Sequence, residues 1–188
     1  IDGLAGIQAL AIGVGIFVLV RKLGFGELIM VLGLTVAAAA AGFLRWNWHP
    51  AKIFLGDVGS IPLGFAIGWL LLLLAANGAW ASALILPMYF FADATLTLMR
   101  RVIRGEQLWK AHREHFYQRL IRSGYCHTRT TGLIISIQCS VILFIGGATL
   151  YKWPITLSWV LSLLIWVGFF IYVEVKFRDT KEGSLPKK

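Results

Sequence analysis

Residues 130–173 read TTGLIISIQCSVILFIGGATLYKWPITLSWVLSLLIWVGFFIYV, and Lys152 is the one charge among them. The lysine divides the stretch into two uncharged runs, Thr130–Tyr151 and Trp153–Val173. About 20 residues at a rise of 1.5 Å cross a hydrocarbon core of about 30 Å. Each run is therefore expected to span a membrane as a helix, because lipid offers backbone groups no hydrogen-bond partner. A third uncharged run, Gly3–Val20, reads the same way. The rest of the 188-residue chain agrees, with 58% hydrophobic and 14% charged residues, against about 25% charged in an average soluble domain. So few charges cannot cover a globular surface. Soluble, disordered and disulfide-framed secreted chains are excluded.

Between Asp57 and Asp93 the uncharged stretch is too long for one span, and Ala75-Ala76-Asn77-Gly78 breaks it at a turn dipeptide. The expected spans are Leu4–Val20, Leu28–Leu44, Ile61–Leu74, Trp80–Leu98, Thr131–Leu150 and Ile155–Val173. The fold class is thus all-α, a polytopic membrane bundle of six transmembrane helices. Residues 1–175 form its transmembrane domain, with polar loops 45–60 and 99–130, and residues 176–188 form a basic tail. Six spans place 15 of the 18 Lys and Arg on one side, leaving Arg21, Lys22 and Lys152 on the other. The positive-inside rule makes the basic side cytoplasmic. The net charge of +9 is then topological, and no nucleic-acid partner is implied. Cys126 and Cys139 form neither a CxxC nor a disulfide frame. The chain begins at Ile1, with no Met and no signal peptide before the first span, and reads as the C-terminal part of something longer.

Asp2, Asp57, Asp93 and the long basic loop all belong to the cytoplasmic side. In Asn47–Pro62, Gly56 and Gly59 let the backbone turn and approach a ligand closely. Ser60 is expected to cap the third span, with Pro62 in its first turn. A helix N-terminus there would favour phosphate, and Asp57 beside it offers the carboxylate that Mg²⁺ takes together with phosphate oxygens. The alternative makes Asp57 a plain turn residue. The long loop carries Arg100, Arg101, Arg104, Lys110, His112, Arg113 and His115. Arginine pairs bidentately with phosphate, and histidine can donate to an anion or move a proton near neutral pH. The alternative is a loop resting on anionic headgroups, which accounts for the arginines better than for the clustered histidines. Two histidines three apart could also hold zinc, but no third ligand is evident. Gly64 and Gly68 read as a helix-packing face, as does Gly146-Gly147. Trp80 and Trp153 read as interfacial anchors. His127 reads as a loop residue, and Pro87 as a kink in the fourth span. Asp93, costly in lipid, is a functional candidate.

Three blocks carry a family resemblance: Ile1-Asp2-Gly3-Leu4-Ala5-Gly6, Pro50–Ser60 with its Phe54-Leu55-Gly56-Asp57-Val58-Gly59-Ser60, and His112-Arg113-Glu114-His115. Together they resemble the polyprenyl-phosphate N-acetylhexosamine-1-phosphate transferases of glycosyltransferase family 4. The His-Arg-x-His block is similar to the undecaprenyl-phosphate N-acetylglucosamine-1-phosphate branch. The resemblance implies a Mg²⁺-dependent phosphoglycosyltransferase of the bacterial inner membrane. Its substrates would be a UDP-N-acetylhexosamine and a polyprenyl phosphate lipid, its product a polyprenyl-diphospho-sugar, and its by-product UMP, at the start of cell-surface polysaccharide synthesis. A homodimer is compatible with it.

By the same resemblance Asp57 is the metal ligand and a catalytic residue, with His112, Arg113 and His115 on the pyrophosphate and sugar. Phe54 packs on uracil and Asp2 lies near the nucleotide. Gly56, Gly59, Ser60, Asp93 and Arg104 complete the candidate substrate site. The family's paired aspartates and about five further spans would precede Ile1, so the chain as given is expected to be inactive alone. Alternatives are a UDP-MurNAc-pentapeptide or UDP-N-acetylfucosamine-type donor, or a transporter or lipid-binding protein with Asp57 and Asp93 as carriers.

Overall fold

A computed structural model describes residues 2–110 and 113–183; His112 therefore lies outside the described residues. Among the described residues eight α-helices follow one another: α1 Leu4–Leu23, α2 Glu27–Asn47, α3 Gly56–Leu74, α4 Trp80–Ile85, α5 Met88–Ile103, α6 Phe116–Arg122, α7 His127–Tyr151 and α8 Ile155–Gly183, with a π-helical turn at Ala75–Ala79. No strand is present among the described residues.

The expected spans in α1, α2, α7 and α8 are helices long and apolar enough to cross a bilayer. α1 sits at the centre, with Ile12, Ile16, Leu19 and Val20 buried. It lies against α2, with the closest backbone approach where Gly13 meets Gly33. A Cβ added at Gly13 would come within 2.6 Å of the Gly33 carbonyl oxygen, so only glycine permits this approach, which in lipid replaces hydrophobic driving force with close packing. Around Tyr89, the rings of Trp166, Phe169 and Phe170 join α5 to α8.

The third and fourth spans differ from expectation in detail. α3 starts at Gly56 rather than Ile61, so Ser60 is not its cap and Pro62 lies in its second turn. Proline's missing N–H would have met the Val58 carbonyl. Val58 is 92% exposed, so water can take that place. The helix leaves its path at Gly78, whose φ of 92° suits glycine and few other residues. The chain then reverses, because Ser60 of α3 and Phe91 of α5 line one cavity. The fourth span is interrupted at Leu86-Pro87 into α4 and α5, as the expected proline kink foretold. Among the described residues, five stretches are long and apolar enough to cross a membrane where six crossings were expected, because α3, the π turn and α4 run together as one apolar stretch, Gly56–Ile85, despite the break at Gly78.

Two other expectations change. A Cβ at Gly64 or Gly68 would meet nothing within 4 Å; the pair faces an apolar groove of about 300 Å³ with Ala5, Ala9, Phe90 and Phe91, not a neighbouring helix. Gly147 does pack, under Trp153. The tail is not separate as far as it is described, since α8 runs unbroken to Gly183.

Candidate functional site

Asp2 is where three distant segments meet. Its Oδ2 lies 2.7 Å from His49 Nδ1 and accepts the Ala51 N–H at 3.2 Å. His127, the first residue of α7 rather than a loop residue, places Nδ1 at 3.9 Å. Thr131 donates its hydroxyl to the Asp2 carbonyl at 3.2 Å. The His49 hydrogen bond, helped by the Ala51 amide and by His127, holds the Asp2 carboxyl below its usual range, against some opposing desolvation. An ionised carboxylate only accepts, so His49 Nδ1 carries the shared proton.

Asn47 fixes this corner from below. Its Oδ1 accepts the N–H of Gly3 at 3.1 Å, and its Nδ2 donates to the Ile53 carbonyl at 2.7 Å. One buried amide thus ties the start of α1 to the loop that leads to α3. That loop closes on Trp46, whose carbonyl accepts the N–H groups of Lys52 and Ile53 at 2.8 and 3.3 Å.

The start of α3 is built differently. Phe54 is 71% exposed, and Asp57 is exposed in the helix's first turn, where a negative charge suits the helix dipole. Gly56 enters the helix with φ 58°. Gly59 packs on Leu55, where a Cβ would come within 2.6 Å of Leu55 Cδ1. Ser60 lies at the edge of the apolar groove.

Asp93, 5% exposed, does not face open solvent. Its Oδ1 accepts the Phe116 N–H at 2.8 Å, and its Oδ2 lies 3.2 Å from His115 Nδ1. His115 is also the cap residue of α6, and its N–H is held by Gln118 Oε1 at 3.1 Å. Asp93 therefore positions His115 and the start of α6. Beneath it, buried Phe116 packs edge-on to Phe170 with ring centroids 4.6 Å apart, and the guanidinium of Arg100 lies 4.8 Å from its centroid. Arg119, lowered below the usual arginine range chiefly by desolvation, bonds Glu174 at 2.7 Å.

The arginines divide by burial. Arg101 is 3% exposed and is wrapped by its own loop, donating to the carbonyls of Gln107, Leu108 and Lys110. Arg104 is held by Glu114 and Glu106 at 3.1–3.2 Å, which raises its pKa, Glu114 contributing most. Arg113 stands exposed on the wall of a polar cavity of about 490 Å³ shared with Lys110 and Arg122. The exposed set, Phe54, Asp57 and Arg113 with half-buried His115, can meet a ligand. The buried set, Asn47, Asp93, Arg101 and Arg119, shapes the backbone that carries it. Asn47 and His49 were not singled out from sequence, and His127 was read only as a loop residue. Asn47 left a trace, as a polar residue closing an apolar run before a proline; the meeting of His49 with His127 left none.

Residues 1–75 match the profile of glycosyl transferase family 4. The chain is 32% identical over 154 residues to a probable undecaprenyl-phosphate N-acetylglucosaminyl 1-phosphate transferase of Bacillus subtilis, covering 76% of this chain and 43% of that protein. It is 28% identical to a decaprenyl-phosphate N-acetylglucosaminephosphotransferase of Mycolicibacterium smegmatis, across 98% of this chain and 50% of the relative. It is 43% identical over 70 residues to a phospho-N-acetylmuramoyl-pentapeptide-transferase of Moorella thermoacetica, covering 37% of this chain and 22% of that protein. The chain spans half or less of each of these relatives. No solved structure matches it.

Proposed function

We propose, from the premise that this chain belongs to glycosyl transferase family 4, that the protein containing it transfers N-acetylhexosamine-1-phosphate from a UDP-sugar to polyprenyl phosphate. An oxygen of the lipid phosphate attacks the sugar-bearing phosphorus, the bond to the UMP phosphate breaks, and polyprenyl-diphospho-sugar and UMP result. The observation that carries this reading is the exposed carboxylate of Asp57 in the first turn of α3, inside the stretch that matches the family.

That carboxylate fits a hard divalent cation, which takes one or two carboxylates and completes its shell with water and phosphate oxygens. Mg²⁺ held there would neutralise pyrophosphate charge. The chain's own residues do the positioning that dominates phosphoryl transfer. Phe54 offers an exposed ring for uracil. Arg113, with its planar fork, contacts the pyrophosphate. His115, held by Asp93, donates to the same group or to the sugar, and His112 joins it from outside the described residues. Asp2 lies at the nucleotide end, and Arg104 reaches substrate only by exchanging Glu106 or Glu114 for it. Gly56, Gly59 and Ser60 shape the backbone beneath. The basic side faces the cytoplasm of a bacterium's inner membrane, where UDP-sugars are made.

The test is UMP release from UDP-N-acetylglucosamine and polyprenyl phosphate by the full-length protein in membranes. Asp57→Asn should lower turnover roughly 10²–10³-fold, the scale for loss of one electrostatic group aimed at the reacting centre, with insertion unchanged. Near-normal turnover would remove Asp57 from the site.

A further inference from the structure

The corner around Asp2 has a property that nucleotide contact does not require. We infer that Asp2, His49 and His127 form a binding site for a divalent transition metal of the Zn²⁺ or Co²⁺ class, separate from any cation held by Asp57. One donor atom from each of the three lies within 4.8 Å of the others, and this is the only such triplet of potential ligands among the described residues. The carboxylate oxygen is 2.7 Å from one imidazole nitrogen and 3.9 Å from the other. Ligands on a tetrahedral ion with bonds of 2.0–2.1 Å stand about 3.3 Å apart, so the observed pair straddles the required spacing. Small rotations of two side chains that are 45% and 40% exposed would close the difference.

The second observation concerns His127 itself. Its Nδ1 is shielded from solvent and finds no hydrogen-bond partner. An imidazole nitrogen turned toward a carboxylate, too far for a hydrogen bond, wants either a bridging atom or an ion between them. The carboxylate is also anchored as metal ligands usually are, since Oδ2 accepts the Ala51 amide, and such outer partners orient a ligand. Two imidazoles and one carboxylate select Zn²⁺, Co²⁺, Ni²⁺ or Cu²⁺ over Mg²⁺, which prefers oxygen donors throughout. Three protein ligands leave a fourth position for water or for a phosphate oxygen. Occupancy would use the lone pairs of Asp2 and displace the proton from His49 Nδ1, since a ligand imidazole must be neutral.

Co²⁺ titrated into the 188-residue chain in detergent reports on this directly. The expected result is the visible absorption of four-coordinate Co²⁺ at one equivalent, displaced by Zn²⁺ and left in place by excess Mg²⁺. His49→Gln and His127→Gln should each raise Kd by more than the roughly 10–100-fold that loss of an outer partner costs. Asp57→Asn and His115→Gln should leave the spectrum unchanged. Both glutamine variants keep a polar side chain at exposed positions, and circular dichroism checks that the helices persist. No four-coordinate band, a band that survives the double glutamine variant, or one abolished by Asp57→Asn would each overturn the assignment. Loss of transferase activity would not, so this inference and the proposed function fail separately.

Discussion

The corner at Asp2 and the start of α3 are separated by only a few residues of loop, yet they are built on opposite plans. At Asp2 and Asn47 nearly every polar atom is spent within the protein: on His49, Ala51, Gly3 and Ile53. At Phe54 and Asp57 the side chains face outward. Buried polar groups must be satisfied because leaving one unpaired costs about 1–3 kcal/mol. Exposed ones are free to meet a ligand. Asn47 holds the shape, and the start of α3 uses it.

The largest break in that comparison comes from mutating each side and reading both stability and turnover. Asp57→Asn, with its large loss of turnover, should leave thermal stability in detergent within about 0.5 kcal/mol, as for other exposed positions. Asn47→Ala should do the reverse first. It orphans the Gly3 N–H and the Ile53 carbonyl, and should cost about 1–3 kcal/mol for each group left unpaired, with turnover falling only as the fold does. Equal destabilisation by the two variants would erase the distinction.

Asp93 tests whether a residue inside the span belongs with the first plan. Asp93→Ala removes the acceptor for the Phe116 N–H and should destabilise by about 1–3 kcal/mol. Asp93→Asn keeps an oxygen there and should recover most of that stability while losing the charge beside His115. If the asparagine variant is as unstable as the alanine, the hydrogen bond to α6 is not what Asp93 supplies.

What was legible in the sequence follows the same division. α1, α2, α7 and α8 announce themselves because lipid excludes charge, so uncharged runs mark them directly. The start of α3 does not, since Gly56-Asp57-Val58-Gly59-Ser60 lacks an apolar stripe and its carboxylate, stabilised by the helix dipole, passes for a loop residue. α6 was hidden inside a basic loop because its burial depends on Glu174, which bonds Arg119 from 55 residues away. The candidate site was readable where a motif is local, at Phe54–Ser60 and Arg113–His115. Asp2 could be picked out, but its partners could not, because His49 comes from the loop after α2 and His127 from the start of α7. Gly64 and Gly68 show the converse: a packing motif names a surface, not what covers it.

Phe54 gives the next effect in size. Phe54→Ala removes an exposed ring, so stability should stay within about 0.5 kcal/mol. If the ring stacks on uracil, the change should raise KM for the UDP-sugar about tenfold, on the scale of 1–3 kcal/mol per base stacked on an aromatic, with little change in kcat. A fall in kcat at constant KM would place Phe54 at the reacting end instead of the nucleotide end.

The smallest effect concerns pH and the Asp2 corner alone. The folded carboxyl titrates below its unfolded value, held there first by the His49 hydrogen bond. A depressed carboxyl contributes stability above its unfolded pKa of about 3.9 and loses that contribution as pH falls through the folded value. Asp2 should therefore make the chain less stable only in acid below about pH 4, with no dependence from this group at neutral pH. Asp2→Asn should flatten that acid limb of the thermal midpoint. An acid limb unchanged in Asp2→Asn would mean that the His49 contact adds nothing to the fold, and the corner's order would then rest on Asn47.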